Sequence, residues 1–154
     1  GGSYNYRVFI LLDAENEPLG LHAYFDFYVG SNVFLTLPIV TMLTADVVVI
    51  KFTLERIGKL WIMVASIGDG TADIVDEIYE VKAGLHAVGG PTCRTIGVTA
   101  QIGGQSRVLN DCKFRLGESY RIFTYSEDFE DRNDGTLKTI DFTFLGDVLG
   151  NDPM

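Results

Sequence analysis

The stretch between Cys93 and Cys112 constrains the fold of this chain more than any other feature. Two runs of residues typical of β-strands flank the pair Gly103-Gly104. Glycine pairs readily supply the positive φ angles that tight hairpin turns require. When the chain is folded about Ile102 and Gly103, Cys93 comes to lie opposite Cys112. We therefore predict an antiparallel hairpin that brings the two sulfurs together, either as a disulfide or as two buried free thiols.

A third run, from Tyr120 to Tyr125, follows this hairpin closely. Alternate residues of a strand point to opposite faces of a sheet. The run would therefore present two different sets of side chains, with Tyr120, Ile122 and Thr124 on one face and Arg121, Phe123 and Tyr125 on the other. The sequence predicts that residues 93–125 form a three-stranded antiparallel unit.

Similar short runs, separated by turns rich in Gly, Pro and Asp, occur along the rest of the chain. We predict strands at residues 4–12, 22–29, 33–37, 47–54, 60–66 and 137–145. Residues 72–81 fit either a single short helix or an irregular strand. Many short strands with regularly spaced turn signals are typical of sandwiches and barrels. The prediction is one all-β domain over residues 1–154, a jelly-roll-like antiparallel β-sandwich with at most one short helix.

Composition narrows the classes of partner. At 154 residues and 47% apolar content, the chain is large enough for one substantial core. Its net charge of −9 argues against nucleic acid, which requires clustered Lys and Arg. Residues 33–50 are apolar, but Pro38 and a β-branched run favour two buried strands over a membrane-inserted helix. Residues 1–3, Gly-Gly-Ser without an initiator Met, are expected to be the remnant of an added tag.

An acidic loop at residues 127–136 is the strongest candidate for a metal site. Its oxygen-bearing side chains, followed by Gly135, resemble the order found in calcium loops, where hard oxygens surround Ca²⁺ and glycine permits a sharp turn. The spacing does not match an EF-hand, and a solvated hairpin loop turning at residues 133–135 explains the same residues. The predicted Ca²⁺ ligands are Asp128, Asp131, Asn133 and Asp134.

Aromatic residues on the predicted strands suggest a surface on which sugar rings could stack. Tyrosine rings with polar tips often serve binding surfaces of this kind. The predicted ligand-binding residues are Tyr24, Asp26, Tyr28 and Tyr125. The single tryptophan, Trp61, lies inside an apolar run, and we therefore predict it to be a core residue.

Several segments together resemble the β-domain family DUF3472. They are residues 60–70, 79–84, 103–106 (Gly-Gly-Gln-Ser) and 113–123, whose Gly117 to Phe123 part is similar to a strand common in that family. The similarity covers residues 60–144. The resemblance implies a secreted β-sandwich of the kind met beside carbohydrate-active or cell-surface modules, and it implies no catalytic residues.

Three functional hypotheses follow. The first is an extracellular, non-enzymatic binding or adhesion module that recognises a glycan or a cell-surface protein, assisted by Ca²⁺. The second is a structural subunit of a fibre, coat or matrix, which would form homo-oligomers. The third is a hydrolase, for which the sequence shows no convergent catalytic groups; a pocket holding two carboxylates would revive it.

Overall fold

The structure is a computed structural model that describes residues 4–11, 22–73, 77–84 and 92–149. Side-chain positions are described from residue 30 onward, except that of Ile96. In chain order, the strands and the helix are β1 (Tyr4–Leu11), β2 (His22–Val29), β3 (Phe34–Leu43), β4 (Val48–Leu54), β5 (Gly58–Ser66), α1 (Glu77–Ala83), β6 (Cys93–Ala100), β7 (Gly103–Leu109), β8 (Ser119–Glu127) and β9 (Thr136–Thr143).

The described strands form three antiparallel sheets. Strands β1 and β2 pair with each other as a two-stranded sheet. A three-stranded sheet has the order β3-β4-β7, and a four-stranded sheet has the order β6-β5-β8-β9. The last two sheets share one apolar core, so the predicted all-β sandwich with at most one short helix is confirmed over the described residues.

The main core lies between the three-stranded and four-stranded sheets. Strand β4 alternates strictly and buries every second side chain there, because period-two patterning puts one face of a strand inside. The four-stranded sheet contributes alternate residues of its two central strands, β5 and β8, to the same core. The buried side chains from β4, β5 and β8 are Val48, Ile50, Phe52, Leu54, Leu60, Ile62, Val64, Tyr120 and Ile122.

A second apolar cluster covers the outer face of the four-stranded sheet. It combines Trp61, Met63 and Phe123 with Val81 of helix α1. Strand β5 is therefore buried on both faces, which explains why residues 60–65 are apolar without alternation. The core position predicted for Trp61 is confirmed, since the residue is 5% exposed.

The predicted three-stranded unit over residues 93–125 is wrong. Strand β6 pairs with β5 in one sheet, whereas β7 pairs with β4 in the other. The chain changes sheets at residues 101–102, and Gly103 adopts a φ of 92° there. This arrangement lets Ala100 and Leu109 both enter the shared core, whereas a hairpin within one sheet would not bring the two sheets together.

The disulfide between Cys93 and Cys112 is nevertheless confirmed, with the Cα atoms 4.7 Å apart. It joins the start of β6 to the segment that follows β7, so it ties the two sheets together. Both cysteines are buried in the main core.

We expect the double variant Cys93→Ala/Cys112→Ala to lose about 3 kcal/mol of unfolding free energy, because the bond restricts the unfolded chain over a separation of 19 residues. Urea denaturation of the variant and the wild type measures this loss. Wild-type protein in reducing agent should shift in the same direction. Equal midpoints for all three samples would contradict the expected contribution.

The apolar stretch at residues 33–50 contains strand β3 and the start of β4, so two strands form as predicted, but β3 is not buried throughout because Leu35, Leu37 and Ile39 are exposed. Within the described part of the chain, no helix has the length and apolar character needed to cross a membrane. Of the two alternatives predicted for residues 72–81, the helix is confirmed over the part that α1 covers, from Glu77 onward, and residues 74–76 lie outside the described residues.

Candidate functional site

Four connecting segments meet at one end of the sandwich, which we call the loop end. They are residues 30–33 before β3, 55–57 between β4 and β5, 101–102 between β6 and β7, and 128–135 between β8 and β9. Ser31 donates its backbone N–H to the carbonyl of Asp134, and its hydroxyl accepts the N–H of Asp128. The acidic loop predicted as a metal site is therefore part of a larger cluster of loops.

Asn32 connects the segments at the loop end through buried hydrogen bonds. Its side chain is fully buried, and its Nδ2 donates to the carbonyl of Arg56 at 2.9 Å and to the hydroxyl of Ser126 at 3.2 Å. Its Oδ1 accepts the backbone N–H groups of Val33 and Arg56. A buried amide whose donors and acceptor are all used fixes the neighbouring backbone, here that of residues 55–57.

A lysine from helix α1 enters the acidic loop. Lys82 Nζ donates to Glu127 Oε1 and to Asn133 Oδ1, each at 2.7 Å, and it also contacts Asp131 Oδ1. The ammonium lies 4.8 Å from the centre of the Trp61 ring, within the range of a cation–π contact. The loop oxygens thus converge on a cation, and this cation belongs to the protein itself.

Glu127 is a fully buried carboxylate at the base of this cluster. Its Oε2 accepts the hydroxyl of Tyr125 at 2.6 Å, and that hydroxyl accepts the N–H of Gly135 at 2.8 Å. Burial, reinforced by the hydrogen bond to Glu127, raises the pKa of Tyr125 far above its usual value. The hydrogen bond from Lys82 lowers the pKa of Asp131.

The pKa of Lys82 reflects two opposed effects. Burial alone would lower it, but the hydrogen bonds to Asp131 and Glu127 outweigh burial and raise the pKa above its ordinary value. The charged form of Lys82 is therefore favoured within the cluster.

Arg132 occupies the other half of the acidic loop. Its guanidinium contacts Asp128 Oδ2 at 3.2 Å, Glu130 Oε2 at 2.7 Å and Asp134 Oδ2 at 3.0 Å. The four predicted Ca²⁺ ligands are thus divided, with Asp131 and Asn133 on Lys82 and Asp128 and Asp134 on Arg132. Among the residues that the structure describes, no three His, Cys, Asp or Glu side chains form a group that could hold a metal ion. Calcium binding at this loop stays a prediction without structural support.

The predicted ligand-binding residues fall into two groups. Tyr24, Asp26 and Tyr28 occupy alternate positions of β2, opposite Phe9, Arg7 and Asn5 of β1, so they share one face of that hairpin. Their side chains lie outside the described part of the structure.

Tyr125 was wrongly predicted to be part of an exposed stacking surface. It is fully buried beneath helix α1, and its ring lies 5.7 Å from that of Trp61. Strand β8 alternates as predicted, and the second apolar cluster covers the face that carries Phe123 and Tyr125.

Sequence reasoning missed an apolar patch at the loop end. Ile57, Ile102 and Phe129 are 43%, 67% and 51% exposed, and with Arg56, Asp128 and Glu130 they line a shallow cleft. We call these three apolar residues the loop-end patch. Phe129, an aromatic residue within a run of acids, was the one available signal. Nothing local connects it to Ile57 or Ile102.

Raised pKa values predict a specific loss of stability at alkaline pH. Tyr125 and Lys82 both hold their protons more tightly in the folded than in the unfolded state, where the ordinary values are 10.0 and 10.5. The folded state then binds more protons, so the free energy of unfolding falls as pH rises through that range. We expect urea denaturation between about pH 8 and pH 11 to show this fall. The variant Tyr125→Phe should show a shallower one, and equal slopes would contradict the assignment.

These features define a disulfide-containing β-sandwich whose loop end carries a buried ion cluster beside an exposed apolar patch. No family model, curated protein or solved structure matches this chain. The resemblance to DUF3472 therefore stays a prediction.

Proposed function

We propose that this protein is an extracellular, non-enzymatic binding module, and that the loop-end patch contacts a protein partner on a cell surface. The observation that carries the proposal is the exposure of Ile57, Ile102 and Phe129 side by side on loops that buried contacts hold in place. Binding residues commonly lie on loops that a rigid scaffold positions.

The surroundings of the patch suggest the chemistry of its partner. Glu130 lines the cleft together with Arg56, and exposed Glu55 and Asp131 lie on the same group of loops, where Arg56, Lys82 and Arg132 pair with acidic side chains. The chain as a whole carries a charge of −9. Acidic side chains outnumber basic ones on these loops, so the patch is complementary to a partner segment with apolar side chains flanked by Lys or Arg.

A disulfide supports the extracellular setting, because such bonds persist chiefly in oxidising compartments. Between the two partners predicted from the sequence, a protein is favoured over a glycan. The patch contains aliphatic side chains and one phenylalanine, whereas sugar-binding platforms commonly use rings with polar tips. Tyr125, predicted to provide such a ring, is buried.

Panning a phage-displayed peptide library against the purified protein tests the proposal. We expect enrichment of peptides that combine aromatic or aliphatic residues with Lys or Arg. The triple variant Ile57→Ser/Ile102→Ser/Phe129→Ser should lose at least about tenfold in affinity for these peptides, because apolar anchors dominate binding energy.

Leu116→Ser is the matched control, since Leu116 is 73% exposed on the connection before β8, at the opposite end of the sandwich. It should bind like the wild type. Enriched peptides that bind the triple variant equally well would overturn the assignment of the patch. A glycan array, run once with Ca²⁺ and once with EDTA, tests the alternative that the partner is a glycan. Glycan binding that the triple variant retains would favour this alternative.

A second candidate function is assembly into a fibre, coat or matrix. It is favoured by the outer face of the three-stranded sheet, where Leu35, Leu37 and Ile39 of β3 are 63%, 59% and 55% exposed and Val108 of β7 is 51% exposed. A second copy of the chain is the proposed occupant. Lys51, opposite Ile39, is also exposed on this face.

Light scattering over a range of concentrations tests this second function. Assembly should increase with concentration and be abolished in Leu37→Lys/Ile39→Lys, because two buried like charges would face each other. Ile102→Lys at the loop end is the control and should assemble normally. A wild-type protein that is monomeric at every concentration would exclude this function.

A further inference from the structure

The Lys82 cluster contains the components of a covalent crosslink. An amine lies at hydrogen-bond distance from a carboxamide oxygen, since Lys82 Nζ and Asn133 Oδ1 are 2.7 Å apart. The same amine lies 2.7 Å from the buried carboxylate of Glu127. A nucleophile that contacts both an electrophile and a proton-transferring group has the usual arrangement of covalent catalysis.

The surroundings of the cluster keep the amine and the carboxylate in contact and largely shielded from water. Lys82 lies over the ring of Trp61, and its side chain is 15% exposed, while that of Glu127 is fully buried. Burial by itself lowers the pKa of Lys82, but its hydrogen bonds to Asp131 and Glu127 outweigh burial, so the neutral amine that attacks is the minor form. Holding reacting groups in contact also replaces a collision in solution with a step inside one molecule.

The backbone of the loop provides a separate observation. Asp131 and Asn133 both adopt left-handed conformations, with φ values of 56° and 55°. Asparagine and aspartate adopt this conformation more readily than other residues that carry a side chain. Here both side chains reach Lys82.

We propose that Lys82 and Asn133 form an intramolecular amide bond, with Glu127 as the catalytic residue. The Lys82 ammonium first passes a proton to Glu127 through their hydrogen bond. The neutral amine then attacks Cγ of Asn133, and a new C–N bond forms. Glu127 donates its proton to the departing amide nitrogen and takes one from the attacking nitrogen. The bond from Cγ to Nδ2 breaks, ammonia leaves, and Glu127 ends protonated. No oxidant, reductant or cofactor is required.

Asn133 is a better acceptor than Asp131, although both contact the amine. Asp131 is held as a carboxylate by Lys82, and a negative charge on the acceptor group repels a nucleophile. Condensation with Asp131 would release water, and the abundant solvent water would favour the reverse reaction. The ammonia released from Asn133 is instead diluted into the solvent. Asn133 lies at the exposed edge of the cluster, where ammonia can depart. Because the charged form of Lys82 is favoured, we expect conversion to be slow and to advance on incubation.

High-resolution mass spectrometry of the reduced, full-length protein tests the proposal, before and after prolonged incubation. The expected result is a measured mass lower than the mass calculated from the sequence by the mass of one ammonia. Trypsin should fail to cleave after Lys82, and fragmentation should identify a peptide containing Lys82 joined to one containing Asn133. A wild-type chain that keeps its full sequence mass after incubation would overturn the proposal. Loss of one water, or a link to Asp131, would overturn the choice of acceptor.

Two variants separate the crosslink from other losses of ammonia. An asparagine can also lose ammonia by forming a succinimide with the backbone nitrogen of the next residue, and this reaction does not need a lysine. Lys82→Arg retains a cation beside Glu127 and should keep its full mass. Glu127→Gln removes the proton transfer and should also keep its full mass. Asn110→Ala, at an exposed position away from the cluster, should lose one ammonia as the wild type does. An equal loss in Lys82→Arg would exclude the amide.

Discussion

Gly135→Ala is expected to lower the free energy of unfolding by about 3 kcal/mol or more. A β-carbon built at this position would lie 2.0 Å from the carbonyl oxygen of Ser126 and 2.7 Å from Cβ of Glu127. The first of these atoms belongs to the backbone of a central strand and cannot rotate away. Accommodating the methyl group therefore requires the acidic loop to separate from β8, which would also disturb the hydrogen bond from Gly135 to Tyr125.

Gly68→Ala provides the matched control for this prediction. The same construction at Gly68 meets nothing within 4 Å, so the added methyl group should cost little. Chemical denaturation of the two variants beside the wild type gives the comparison. Similar midpoints for Gly135→Ala and Gly68→Ala would show that the loop does not pack against β8 as described.

Asn32→Ala is expected to cost about 3 kcal/mol, because it leaves several buried backbone groups without partners. The N–H groups of Val33 and Arg56 lose their acceptor, and the carbonyl of Arg56 loses its donor. Since these bonds also fix residues 55–57, the position of Ile57 in the loop-end patch depends on them. We therefore expect weaker binding of the enriched peptides as well as lower stability.

Asn32→Asp distinguishes the two halves of the amide. A carboxylate can still accept from Val33 and Arg56 but cannot donate to Arg56 or Ser126, so its free energy of unfolding should be lower than that of the wild type. Asn110→Ala, which changes an exposed asparagine, should leave stability within about 0.5 kcal/mol of the wild type. If Asn32→Ala proved as mild as Asn110→Ala, the loop end would not depend on this side chain.

Much of the strand content could be predicted because its signal is local. The alternation of residues 22–29 and the continuous apolar run at 60–66 identified β2 and most of β5. These patterns did not identify the strands with which β2 and β5 pair. The pairing of Cys93 with Cys112 was also predicted correctly, although the hairpin argument behind it was wrong. The two residues are close because the chain passes from one sheet to the other between them.

The candidate site was less accessible to sequence reasoning. The oxygen-bearing residues of the acidic loop do converge on cations, but Lys82 and Arg132 provide those cations. Lys82 is separated from Glu127 by 45 positions, and no spacing rule links a short helix to a distant loop. The loop-end patch combines single residues from three connections, each of which is unremarkable by itself.

The sequence by itself determined most of the strands, since these depend on period-two patterning, and its net charge of −9 argued against a nucleic-acid partner. Only the tertiary structure decided that β6 and β7 belong to different sheets, that Tyr125 and Glu127 lie inside, and that Lys82 meets Asn133. The physical reason is that alternation fixes which side chains share a face but not what covers that face. Covering depends on contacts between segments far apart in the chain.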